Sequence, residues 1–132
     1  MNIRFLDMED ETNELNGRTI SDQQQLLRIL DDLRNREPFV CKLTGENGFE
    51  LDVGIGKKSG CVQYGRTDGL PPYLVAVARS PQNQEEETEF LMGGTPTPIS
   101  NLYCLPFDAV REIVGYFMHT GNTHPAFSWD SI

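Results

Sequence analysis

Between Phe49 and Ile55 every second residue is apolar: Phe49, Leu51, Val53 and Ile55 alternate with Glu50, Asp52 and Gly54. A period of two fits a strand with one buried face and conflicts with a helix, whose apolar positions recur at three and four. Lys57 to Gly60 then turns the chain into a second strand-like stretch, Cys61 to Tyr64. A two-stranded hairpin is marginal in water, so its apolar face requires further strands and a covering layer. The chain offers both. Tyr73 to Ala78 and Phe90 to Met92 have strand composition and could extend the hairpin into a meander. Phe39 to Leu43, joined to the hairpin by a polar turn at 45–48, completes three antiparallel strands in sequence.

Helices supply the cover. Ser21 is a good N-cap with Gln24 three residues on, Asp22 suits the positive helix start, and Leu26, Leu27, Leu30 and Leu33 fall on one face. This predicts a helix from Asp22 to Asn35, stopping before Pro38. A second is expected from Pro106 to His119, where Ala109, Val110, Ile113, Val114, Phe117 and Met118 repeat at three and four before Gly121 ends it. At the N-terminus Ile3 and Phe5 read as a short edge strand leading into an acidic, solvated loop that holds Asp7, Glu9, Asp10, Glu11 and Glu14. The stretch 80–88 is polar and ends the Tyr73 strand. Gly93-Gly94, Pro96 and Pro98 suit neither a helix nor a central strand and are expected to cross from sheet to helix. Ala126 to Trp129 reads as a terminal strand, with Phe127 and Trp129 assigned to opposite faces. The expectation is a single α+β domain over 1–132: an antiparallel sheet of about five or six strands, with two main helices packed mainly on one face.

Charge narrows the partner. Twenty Asp and Glu against eleven Lys and Arg leave a formal charge of −9. That argues against direct nucleic-acid binding, which needs clustered cations, and suits either plain solubility or a basic protein partner. Cys41, Cys61 and Cys104 are odd in number and lie among apolar neighbours, as free thiols of a reducing compartment do. The N-terminus resembles no signal peptide and no apolar run is long enough to span a bilayer, so a cytoplasmic location is expected.

Motifs for chemistry are missing or incomplete. Gly54-Ile55-Gly56-Lys57-Lys58-Ser59-Gly60 resembles a phosphate loop at a glance, but its spacing is wrong and strand, not helix, follows. His119 and His124 have no further ligands at zinc spacing, and His119 fits better as a cation at a helix C-terminus. A Cys104–His119 nucleophilic pair would place the thiol in a run that reads as core. Glu50 and Asp52 share a strand face, roughly 7 Å apart, a spacing common on solvated sheets. Trp129 is expected to cap the core. No catalytic residue, metal or cofactor is assigned.

From Phe49 onward the motif order carries a family resemblance. Leu51-Asp52-Val53-Gly54-Ile55-Gly56, then Gly60-Cys61-Val62-Gln63-Tyr64, Phe90 with Gly93-Gly94, Leu105-Pro106, and Gly121 with Pro125 and Trp129-Asp130 together resemble the first-numbered family of immunity proteins of bacterial polymorphic toxin systems. The match spans about two thirds of the chain and rests on structural glycines, prolines and aromatics; Asp130 stands where such proteins often carry Glu. The resemblance implies a non-enzymatic protein that binds a cognate toxin in the cytoplasm, the toxin usually having a deaminase fold. Such a toxin needs a basic substrate groove over a zinc-bound water, which an acidic protein could occlude. The residues expected to read the toxin are surface ones: Asp68, Glu85, Glu86, Glu87 and Glu89, with Tyr73 as an aromatic anchor.

Two other classes are compatible with the residues. One is a small-ligand-binding domain or small enzyme with a pocket between sheet and helices. The other is an adaptor or structural module whose acids only confer solubility.

Overall fold

In a computed structural model the chain runs β1 (Ile3–Asp7), β2 (Thr19–Ile20), α1 (Gln23–Leu33), β3 (Phe39–Gly45), β4 (Phe49–Ile55), β5 (Ser59–Arg66), β6 (Tyr73–Val77), β7 (Glu87–Met92), β8 (Thr95–Ser100), a 3-10 turn (Asn101–Tyr103), β9 (Leu105–Pro106), α2 (Phe107–Thr120) and β10 (Ser128–Ser131). The structure describes residues 1–81, 83 and 85–132; Gln82 and Gln84, part of the polar stretch expected at 80–88, lie outside the described residues.

The class is α+β, but the described residues form ten strands, not five or six. The main path is β10-β6-β5-β4-β3-β1-β2, with every neighbouring pair antiparallel. Undercounting has a physical cause. Strands β2 and β9 are two residues long and carry no periodicity of their own. Strand β8 contains Pro96 and Pro98 and was expected to be a crossing; it pairs only with β7, and an edge position tolerates proline. Nor does β7 extend the meander. It hydrogen-bonds to β8 and touches β3 in parallel only at Leu91 and Phe39, folding the hairpin across the sheet.

The alternation in β4 divides the sheet. Leu51, Val53 and Ile55 join Phe5, Leu43 and Tyr64 in the main core, against Leu26, Leu30 and Leu33 of α1 and Val110, Ile113, Val114 and Phe117 of α2. Burying each such side chain stabilises by roughly 1.5–3 kcal/mol. Helix α1 begins one residue later than a Ser21 cap implies: Asp22 is the N-cap, its carboxylate accepting from the Gln24 amide at 2.9 Å. Helix α2 ends as expected, with Gly121 left-handed at φ 75° and its amide bonded to Phe117 O. The Gly121 carbonyl accepts from the Tyr64 hydroxyl and the Asn47 amide, both at 3.1 Å, which ties the helix end to the sheet.

On the other face β7 and β8 cover only one end. Phe90 packs with Val40 and Cys61, and Gly54 makes room, since a Cβ there would stand 2.9 Å from the Phe90 ring. Two expectations about the ends are corrected. Phe127, just before β10, is in the main core, and Trp129 within β10 packs against the same core and Tyr64 and donates to His124 O at 3.1 Å, so the two are not on opposite faces. The acid Asp7 is not solvated but buried, paired with Arg36 at 2.6 Å, and β1 lies between β3 and the short β2.

Candidate functional site

Where the β7–β8 hairpin stops, the sheet face opposite the helices is open. Side chains that alternate outward from the core positions meet there in rows. Antiparallel register places Leu6, Lys42, Asp52 and Gln63 side by side, and next to them Arg4, Thr44, Glu50, Gly65 and Tyr73. Lys42 lies directly across from Asp52 and diagonal to Glu50. Its ammonium is 3.5 Å from Glu50 and 3.8 Å from Asp52, so one cation is divided between two carboxylates, at distances beyond the roughly 2.8 Å of a good charge-assisted bond.

Asp52 is the least comfortable of the three. Its Oδ1 is shut off from solvent and has no hydrogen-bond donor among the described residues, although 38% of the side chain is exposed. Burial pushes its carboxyl above the ordinary value; Lys42 pulls it back and the Glu50 charge adds to the rise. Beside it Gly65 has no side chain between Glu50 and Tyr73, and a Cβ at that position would meet only Pro72 O at 3.9 Å. The result is a depression of about 160 Å³ whose lining includes Glu50, Asp52, Gln63, Arg66, Tyr73 and Ile132, so a cation stands in it beside the two carboxylates. Two of its lining residues, Tyr73 and Ile132, are large hydrophobic residues left exposed.

The residues expected to read a partner fall into two groups. Asp68 and Tyr73 frame the β5–β6 loop beside this depression. Asp68 is already engaged, accepting from the Leu70 amide at 3.0 Å and from Arg66 at 2.5 and 3.1 Å, and these contacts hold its carboxyl below the ordinary value. Tyr73 is exposed and its hydroxyl donates to Gly69 O. Glu85, Glu86, Glu87 and Glu89 are exposed at the start of the β7–β8 hairpin, near the far end of β6, where Glu86 O accepts from the Asn101 amide. The two groups therefore lie beyond opposite ends of β6. Lys42, Asp52 and Glu50 are missing from the expected set. Their period-two spacing was visible, but the lysine between them follows only from the β3–β4 register.

Other groups stay apart. Cys104 lines a depression with Thr88 and Asn101, while His119 lines a groove of about 520 Å³ between α1 and α2, so no Cys–His pair forms. In that groove Arg111 pairs with Asp31 at 3.1 Å. Cys41 and Cys61 are buried free thiols and Cys104 is half-buried. Among the described residues no three His, Cys, Asp or Glu side chains come together as a metal site would require, and no helix is long and apolar enough to cross a membrane.

A search of curated proteins finds no match. Comparison with family models reaches further than the motif resemblance, which starts at Phe49: the family described as Immunity protein Imm1 matches residues 14–131, taking in α1 and β3 as well as the open-faced sheet and α2, and the chain belongs to that family.

Proposed function

We propose that this protein neutralises a cognate toxin by direct binding, and that the toxin is a nucleic-acid cytosine deaminase whose active site or substrate entrance it occludes. Membership of an immunity-protein family carries the reading, since such a family implies a toxin partner. The formal charge of −9 supports the choice of a basic one. A deaminase acting on nucleic acid must draw an anionic strand to its pocket, and an acidic protein is steered to the same cationic surface. The role is occlusion without chemistry of its own, in the cytoplasm of the producing cell.

The contact set proposed is Asp68 and Tyr73 at one end of β6, and Glu85, Glu86, Glu87 and Glu89 at the other. One partner can reach both. A standard interface covers about 800 Å² per side, a disc roughly 30 Å across, which exceeds the roughly 16 Å rise of the β6 strand that lies between them. Exposed glutamates of this kind act mainly on association, while an aromatic anchor acts on dissociation.

The test is co-expression with the toxin domain encoded by the adjacent gene, followed by co-purification and a deamination assay on DNA and RNA. A stable complex with deamination abolished is expected. An active toxin and a folded partner that form no complex would refute the reading.

A further inference from the structure

We infer that Cys61 and Cys104 form a dithiol pair that closes into a disulfide when hydrogen peroxide reaches Cys104, fastening the segment that follows β8 to the central sheet. The inference stands apart from the immunity reading above.

Register brings the two residues together. Strand β9 runs antiparallel to the start of β5, with Pro106 across from Ser59 and Leu105 across from Gly60. Cys104 precedes β9 with an extended backbone, φ −93° and ψ 115°, so one more step of the same register sets it across from Cys61. Hydrogen-bonded and non-hydrogen-bonded pairs alternate along an antiparallel ladder. The Phe107 amide donates to Lys58 O at 3.2 Å, and three steps on the Cys61–Cys104 pair is therefore a non-hydrogen-bonded one. The Cys104 amide accordingly bonds elsewhere, to Asn101 O at 3.1 Å. Pairs of this kind have Cα atoms roughly 4.5 Å apart, within the roughly 4.4–6.8 Å that a disulfide spans. Both side chains lie on the face away from the helices, in the small cluster with Val40 and Phe90, whereas Cys41 belongs to the main core on the other face.

Access to the two thiols is unequal. Cys61 is 4% exposed, while Cys104 is half-buried and lines a depression of about 340 Å³ with Lys58, Thr88 and Asn101. Peroxide therefore meets Cys104 first. Its sulfur attacks one peroxide oxygen, the O–O bond breaks, and Cys104 becomes a sulfenic acid as water leaves. Cys61 then attacks the Cys104 sulfur; the S–S bond forms, the S–O bond breaks, and a second water carries off the Cys61 proton. Burial raises both thiols, so the first step is slow. In the reduced protein Cys61 Sγ leans toward Gly54, where a Cβ would stand 2.5 Å from it, and closure turns that side chain toward β9. The bridge closes a loop of roughly 40 residues that includes β6 and the β7–β8 hairpin.

The experiment exposes the full chain to hydrogen peroxide overnight at pH 8, alkylates the remaining thiols in denaturant and maps tryptic peptides without reduction. The expected product is a monomer two hydrogens lighter, in which the peptide 59–66 is joined to the peptide 80–111 and Cys41 is alkylated. Its melting temperature should stand about 10 °C above that of the reduced chain. Cys104→Ser should form no bridge, and in Cys61→Ala the Cys104 sulfenic acid should persist and be trapped by dimedone. Three thiols still free, a bridge to Cys41, a disulfide between two chains, or Cys104 driven to sulfinic acid with Cys61 still alkylated would overturn the inference. A bridged chain that melts no higher than the reduced one would overturn the claim that the bond fastens this segment to the sheet.

Discussion

Asp7 offers the sharpest test of how this fold is held. Its carboxylate is buried and fully used: Oδ1 accepts from the amides of Glu9 and Asp10 at 2.9 and 2.8 Å, and Oδ2 accepts from Asn13 at 3.0 Å and Arg36 at 2.6 Å. Burial pushes the carboxyl up, but Arg36, Asn13 and the two amides outweigh it, and the group titrates below the ordinary 3.8. Asp7→Asn keeps the shape and reverses one half of this arrangement. With its oxygen toward the amides, its NH2 faces two other donors, Arg36 and Asn13. Losing a charge-assisted bond costs about 1.5–3 kcal/mol and a neutral one about 1 kcal/mol. Arg36 is 34% exposed and stays partly hydrated, so the total falls at the low end of what breaking a buried pair costs, about 3 kcal/mol. For a domain of this size that is roughly 10 °C in Tm. Because the folded carboxyl titrates below its unfolded value, its contribution is complete above 3.8 and is lost as pH falls through the folded value. Urea unfolding of wild type and Asp7→Asn at pH 7, 4.5 and 3.5 should therefore show a gap of about 3 kcal/mol that narrows only at the lowest pH. A gap under about 1 kcal/mol at pH 7, or one that persists unchanged as Asp7 is protonated, would refute the argument.

Asp52 should behave in the opposite sense. Its folded carboxyl is raised, so its ionisation burdens the folded state as pH rises through the folded value; Asp52→Asn should stabilise the free protein more at pH 7 than at pH 4 in urea melts, by less than about 1 kcal/mol because the side chain is over a third exposed. Gly60→Ala would drive a Cβ into the carbonyl oxygen of Gly54 on the neighbouring strand, where no side chain can yield, and should cost about 3 kcal/mol by chemical denaturation; a variant as stable as wild type would mean that the β4–β5 pair separates readily. Burial raises all three thiols, Cys61 to about 12, but only Cys104 is partly accessible. Iodoacetamide at pH 8 followed by mass spectrometry should label Cys104 first and Cys41 and Cys61 only on unfolding.

Elements with their own periodicity were legible in the sequence, and elements defined by a distant partner were not. The alternation of β4 and the three-and-four repeat of α2 with its Gly121 stop each carry their signal within a dozen residues. Strand β9 is a strand only because Leu105 and Pro106 meet Gly60 and Ser59. Strand β8 hides behind two prolines that its edge position permits. The misreading of Asp7 has the same origin. An aspartate among acids reads as solvated, and nothing nearby announces that Arg36, 29 residues on, will close over it while stacking on Phe39.

The candidate site lies between these cases, and the reason is register. Glu50 and Asp52 were recognisable as carboxylates on one strand face, and Lys42 as the single charge in a strand-like run. Whether they meet depends on a shift of one residue across the turn 45–48, since a slip of one sends Lys42 into the core and Leu43 to the open face. Burial of Cys41 and Leu43 forbids that slip, so the apolar face determines which charges come together on the polar face. The same packing that stabilises the sheet thus holds Asp52 beside a lysine that only half satisfies it.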